Sequence, residues 1–129
     1  MSDPNSVIQI SSGLMQAFSS GAININLMPK DILVLECLVA GTSFRNVKKV
    51  EAELLHKVKL EIVREAKNEF DEFAIALHFN KNKIGYIPRD KNEVIARLLD
   101  AGKSFFATIE AKEWEGNWLK IEVKVYLKD

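Results

Sequence analysis

The feature that most narrows the fold is a two-residue rhythm of apolar side chains that recurs along the chain. Val58, Leu60 and Ile62 alternate with Lys59, Glu61 and Val63. Phe73, Ile75, Leu77 and Phe79 share one side of a second segment, and Ala74, Ala76 and His78 the other. Phe105, Ala107, Ile109 and Ala111 form a third set, and Leu119, Ile121, Val123, Val125 and Leu127 a fourth. Successive side chains of a strand point to opposite faces, so period two with one polar face means half-buried antiparallel strands. Asn80 to Asn82 is turn chemistry and predicts a hairpin between residues 73–79 and 83–87. Trp114-Glu115-Gly116-Asn117-Trp118 reads as the tip of another.

Other segments break the rhythm. Residues 32–39 are almost wholly apolar, which predicts a central strand covered on both faces. Val47, Val50, Leu54 and Leu55 are spaced for a short helix or helical turn within residues 46–56. The best-signalled helix runs over about residues 90–101. Asp90 can cap it, and Glu93 three residues on would complete a capping box. Val94, Ile95, Leu98 and Leu99 make its apolar stripe, and Gly102 stands where a C′ glycine belongs. The expectation is a mainly β (α+β) fold with short helices. It is a small, closed or partly closed, six-stranded β-barrel with one flanking helix, because closure removes exposed edges. It would span residues 31–129. Residues 1–30 are an N-terminal extension, where Val7, Ile10, Leu14 and Phe18 recur at the spacing of a short amphipathic helix.

Composition removes several function classes. The 129 residues suit one domain with a real core. The 18 basic and 18 acidic residues cancel, so the basic excess common in nucleic-acid binders is missing. Any such contact would be local, made to few phosphates, and weakly dependent on salt. Cys37 is the sole cysteine, which excludes an internal disulfide and a cysteine metal cage. It reads as a small buried hydrophobe and fits a reducing cytoplasm. The N-terminus lacks the basic cluster of a secretory signal, and no apolar run is long enough for a bilayer. No membrane role is expected.

Catalytic signatures are missing. There is no G-x-x-x-x-G-K-[ST], G-x-S-x-G or H-E-x-x-H, and His56 and His78 are isolated. Glu69, Asp71 and Glu72 with Asn68 could hold Mg²⁺ as part of a nuclease or hydrolase. All come from one short turn, however, and a solvated Asx-type turn explains them better. Neither a metal nor another cofactor is expected. A binding surface is the stronger reading. Phe44, Phe70, Tyr86, Trp114 and Trp118 lie near turns or strand ends, with Arg45, Lys67, Lys83, Arg89 and Lys91 close in sequence. Aromatic rings beside scattered cations suit a single nucleic-acid strand, with bases stacked on rings and cations on phosphates. The bland reading is rim-of-core packing and a solvated charged face.

Four blocks carry a family likeness: residues 39–45 (VAGTSFR), 64–75 (REAKNEFDEFAI), 84–89 (IGYIPR) and 96–102 (ARLLDAG). In order and spacing they resemble a HIRAN domain of the stand-alone bacterial type, over about residues 31–127. The resemblance implies a modified OB-like barrel and a non-catalytic reader of single-stranded DNA that caps a free 3′ end, in DNA repair or processing. By the same likeness, Asp71 would accept a hydrogen bond from a terminal 3′-hydroxyl and repel a 3′-phosphate. Asn68 would hold the terminal nucleotide. Phe44 and Phe70 keep aromatic positions without a tyrosine hydroxyl. Arg45 and Ser43 depart from the helicase-linked pattern, which has an aromatic and a basic residue there. Tyr86 and Arg89 would face the backbone, and Trp114 would add a stacking ring at the barrel mouth. The alternative is a protein-interaction or self-assembly module, working through residues 1–30.

Overall fold

The computed structural model describes residues 30–42 and 47–128. The N-terminal amphipathic segment, Ser43, Phe44 and Arg45 lie outside the described residues. The elements run β1 (Ile32–Leu38), β2 (Lys59–Arg64), β3 (Ile75–Phe79), β4 (Asn82–Tyr86), α1 (Glu93–Asp100), β5 (Phe105–Glu115) and β6 (Trp118–Leu127). Short 3-10 turns fill Val47–Lys49, Glu51–Glu53 and Arg89–Lys91. All strand pairs are antiparallel, in the order β1-β6-β5-β2-β3-β4. The sheet curls into a half-barrel, the partly closed barrel that the alternation predicted and the OB-like form that the family resemblance implied.

The two ends of this curled sheet meet at one point. Just past β1, Ala40 pairs with Tyr86 at the end of β4. Its N–H donates to the Tyr86 carbonyl at 2.8 Å, and the Tyr86 N–H returns a bond of 2.8 Å. Gly85 makes this approach possible. A Cβ there would lie 2.5 Å from the Ala40 carbonyl oxygen and 2.5 Å from Val39 Cγ1. Inside the curl, Leu60, Ile75, Leu77, Ile84, Ile109, Leu119, Ile121 and Val125 are buried, with Leu54 inserted from the second 3-10 turn. Thr42 is buried as well, and its hydroxyl donates to the Leu119 carbonyl at 2.8 Å.

Several local expectations change. Among the described residues, strand β1 is an edge strand, not a central one: it pairs with β6 alone, and Ile32, Leu33, Val34 and Leu38 are exposed. An apolar run reports hydrophobicity but not the number of neighbours. The helix begins at Glu93, with Asn92 as N-cap and no side-chain capping bond. Pro88 is extended and is followed by a 3-10 turn, so Asp90 falls before the helix. Glu93 pairs with Arg97 one turn on rather than closing a box. Val94 is exposed, leaving Ile95, Ala96, Leu98 and Leu99 against the core. The C-terminal reading holds. Gly102 has φ +96, its N–H donates to the Leu99 carbonyl, and that of Lys103 to the Leu98 carbonyl, a Schellman ending.

The face of β3 bearing Ala74 and Ala76 is buried too. His78 is half-buried, and its Nε2 has no hydrogen-bond partner among the described residues. Trp114 and Trp118 belong to strands, so the hairpin tip shrinks to Gly116-Asn117, with Gly116 at φ +65. Cys37 is half-buried on β1, and burial pushes its thiol up to about 11. No helix among the described residues is long and apolar enough to cross a membrane.

Gly85→Ala forces the Ala40 carbonyl away from Tyr86, a contact with backbone that no side-chain rotation relieves. Urea denaturation should show a loss of about 1–3 kcal/mol, the usual cost of overpacking.

Candidate functional site

The link from β2 to β3 is a turn organised by its own polar side chains. The Asn68 Oδ1 accepts the backbone N–H of Phe70 at 2.8 Å and of Asp71 at 3.0 Å. Asp71 repeats the device, with Oδ1 accepting the Phe73 N–H at 2.9 Å. Its other oxygen, Oδ2, accepts from the Asn92 amide at 2.7 Å, which ties the turn to the start of α1. Asn92 is buried, so its amide needs a partner, and Asp71 supplies one. Behind the turn, the Arg64 guanidinium donates to the Glu72 carbonyl at 2.7 Å and the Ala74 carbonyl at 3.2 Å. Its Nε lies 3.0 Å from Asp100 Oδ1.

This bonding leaves Phe70 no place in the core. Its side chain is 80 % exposed, the most exposed large hydrophobic residue among those described. An isolated exposed apolar residue is ordinary. A fully exposed ring held on a turn with its backbone bonded is a presented ring.

Opposite the turn, Tyr86 closes the site from the barrel seam. Its hydroxyl donates to Glu65 Oε1 at 2.8 Å and accepts from Lys83 Nζ at 2.9 Å. Glu65 also takes the Asn68 amide at 3.0 Å and pairs with Lys83 at 2.5 Å. Partial burial would raise the Glu65 carboxyl, but hydrogen bonds from Lys83, Asn68 and Tyr86 outweigh it and hold the group down at about 2. Lys83 is raised correspondingly, chiefly by the hydrogen bonds it donates to Glu65 and Tyr86. The ammonium also sits 5.0 Å from the centre of the Tyr86 ring.

Between these walls lies a cleft of about 240 Å³, lined by Ala40, Asn68, Phe70, Asp71, Ala74, Tyr86, Ile87 and Arg89. The small side chains of Ala40 and Ala74 leave the room. A second hollow of about 330 Å³ shares Asn68, Phe70, Asp71 and Arg89 and extends toward Asn92 and Glu93. Arg89 is exposed and has no ion-pair or hydrogen-bond partner among the described residues. The cleft therefore offers an open ring, a carboxylate with unused lone pairs and an unengaged guanidinium. Among the described residues, no group of three or more His, Cys, Asp or Glu side chains is placed to hold a metal ion.

Of the residues singled out in the sequence, Asn68, Phe70, Asp71, Tyr86 and Arg89 are brought together here. Trp114 is exposed on β5, opposite Leu119, and does not line the cleft. Phe44 and Arg45 follow Thr42, outside the described residues. Sequence reasoning missed Glu65 and Asn92, which orient Asn68, Tyr86 and Asp71. Glu65 stands three residues before Asn68, but its partners Lys83 and Tyr86 come from another hairpin. No local pattern announces them.

The family model described as the HIRAN domain matches residues 32–128. The chain belongs to the HIRAN domain family. The matched span begins with β1 and ends just past β6, so the cleft lies inside the HIRAN domain. The fold is similar to a crystal structure of a protein from Lactobacillus plantarum. There the TM-score is 0.71 at 19% identity, covering 79% of this chain and 99% of that one. It is also similar to the crystal structure of the HIRAN domain of human HLTF, with TM-score 0.59, 15% identity, and coverage of 76% and 78%. No curated protein sequence matches the chain significantly.

The depressed Glu65 carboxyl makes stability depend on pH in a defined sense. Its native value lies below the ordinary 4.5. The contribution is therefore complete above 4.5 and disappears as pH falls from there toward 2. At pH 7, Glu65→Gln should cost on the order of 1–3 kcal/mol. Urea titrations of both proteins from pH 7 to pH 2 should show that gap closing across this window.

Proposed function

We propose that this HIRAN domain is a non-catalytic binding module for single-stranded DNA, taking the strand's 3′-hydroxyl end in the Phe70 cleft, in DNA repair or processing. HIRAN domains are associated with nucleic-acid binding. The observation that carries the reading for this chain is Phe70, exposed and held on a bonded turn between Asp71 and Arg89.

Each group has a part in the proposed complex. The terminal base stacks on the Phe70 ring, an interaction that tolerates any base. Arg89 takes a phosphate of the strand, its guanidinium offering a planar fork of donors. Asp71 accepts the terminal hydroxyl with the lone pairs left beside its bonds to Phe73 and Asn92. A terminal phosphate would meet that carboxylate as a like charge in a partly enclosed cleft, and repulsion would reject it. Glu65, Asn68, Lys83 and Tyr86 are already bonded to one another and hold the cleft's shape before the strand arrives. A prearranged site loses less entropy on binding. The zero net charge limits long-range attraction, so affinity falls only shallowly with added salt.

Fluorescence anisotropy with labelled oligonucleotides tests the reading. A strand with a 3′-hydroxyl should bind more tightly than the same strand with a 3′-phosphate. Phe70→Ala should cost about 1–3 kcal/mol, roughly ten- to hundredfold in affinity. Asp71→Asn keeps a side-chain oxygen for the turn, removes the charge, and should narrow the difference between the two ends. Equal affinity for both ends in the unaltered protein sinks end capping. Binding that is indifferent to Phe70→Ala and Arg89→Ala places the strand elsewhere.

A further inference from the structure

Resting on the strand-end reading, we propose that α1 is a splint for the Phe70 turn, with Asn92 and Asp100 as its positioning residues, and that Asn92 sets the selectivity for a 3′-hydroxyl end. Both ends of this eight-residue helix break rules that stabilise helices. Asparagine ranks among the best N-cap residues, yet the Asn92 side chain makes no capping bond. Its φ of −98° and ψ of −21° are helical rather than the extended values of a capping residue. At the other end, Asp100 sets a negative charge against the negative pole of the helix, an unfavourable placement. Local rules are broken in folded proteins where a functional or tertiary contact outweighs them.

Both side chains are committed to the turn instead. Asn92 is 1% exposed, and its amide donates to Asp71 Oδ2 at 2.7 Å. The Asp100 carboxylate accepts from Arg64, from Nε at 3.0 Å and from Nη2 at 3.3 Å. The same guanidinium donates to the Glu72 and Ala74 carbonyls. Midway along the helix, the Arg97 guanidinium lies 5.0 Å from the centre of the Phe73 ring. Every residue from Asp71 to Ala74 is thus tied to α1, directly or through Arg64.

These ties add placement rather than shape. The turn is already shaped by its own bonds. Asn68 Oδ1 holds the Phe70 and Asp71 N–H groups, Asp71 Oδ1 holds that of Phe73, and the Ala74 N–H closes on the Asp71 carbonyl at 3.1 Å. Those local bonds leave loose the tilt of the turn against the barrel and the rotation of the Asp71 carboxylate, whose terminal torsion has broad wells. Asn92 holds the second oxygen and so fixes the plane of the carboxylate. Neither Asn92 nor Asp100 lines the Phe70 cleft, so both act through the turn and not by touching a ligand there. A carboxylate held in one plane offers its remaining lone pairs to a hydroxyl in one direction and keeps its charge against a phosphate. Released, it swings away from both, and the two ends become alike.

Asn92→Ser in the full-length chain is the first test. Serine is as good an N-cap as asparagine but too short to reach Asp71, so α1 keeps its start while the tie is lost. The preference for a 3′-hydroxyl over a 3′-phosphate oligonucleotide, read by fluorescence anisotropy, should fall about tenfold, the worth of one hydrogen bond to a charged group. A preference unchanged from the unaltered protein, or an equal loss of affinity for both ends, overturns the selectivity role of Asn92. A second measurement needs no DNA. Backbone NMR order parameters of Phe70 and Asp71 should fall from about 0.85 to below about 0.6 in the Asn92→Ser, Asp100→Asn double variant, with those of β5 and β6 unchanged. Values that stay high overturn the splint. Should the double variant unfold, each single variant is held to the same criterion. Lowered order parameters, together with equal affinity of the unaltered protein for both ends, uphold the splint and remove the strand-end reading instead.

Discussion

The structure depends on two hydrogen bonds between Ala40 and Tyr86. They join the far ends of a six-stranded sheet and turn a curved ribbon into a half-barrel with an inside. Those bonds require two backbones to approach with no side chain between them, and Gly85 supplies that gap. The same seam builds the candidate site. It sets Ala40 and Tyr86 as one wall of the cleft and leaves Ile87 and Arg89 to continue it. Closure of the fold and creation of a recess are one event here.

The opposite wall has a different origin. Residues 65–71 have little apolar material to bury, and their conformation rests on side chains bonded to nearby backbone. Such turns hold shape through directed bonds rather than packing, so they can present a large ring to water. Two tertiary contacts dock the turn onto the barrel. Glu65 meets Lys83 and Tyr86 on β4, and Asp71 meets Asn92 before α1. Asp71 thus supports the turn and faces the cleft, and the consequences of removing its side chain and removing its charge differ. A presented ring, a fixed carboxylate and an unengaged arginine suit a flat, partly anionic ligand, which is the chemistry of a strand end.

Legibility followed the range of each interaction. Period-two segments gave real strands because alternation is local and the core enforces it. The Gly102 helix ending was also legible, since a positive φ and two nearby carbonyls decide it. The start of α1 was misread because the bond that commits Asn92 goes to Asp71, far away in sequence. The apolar run of β1 was misread for a related reason. Hydrophobicity shows that a strand wants cover and does not show what provides it.

The sequence by itself determined the strands, most of the turn chemistry and the family, because each is written in residue types at short spacing. It also marked Asn68, Phe70, Asp71, Tyr86 and Arg89 as a set worth placing together. Only the tertiary structure decided that these five line one cleft, that Trp114 stands apart from it, and that β1 is an edge among the described strands. The physical reason is the seam. Which strands meet across it depends on sheet curvature and on one glycine permitting a close approach, and neither is expressed in local periodicity.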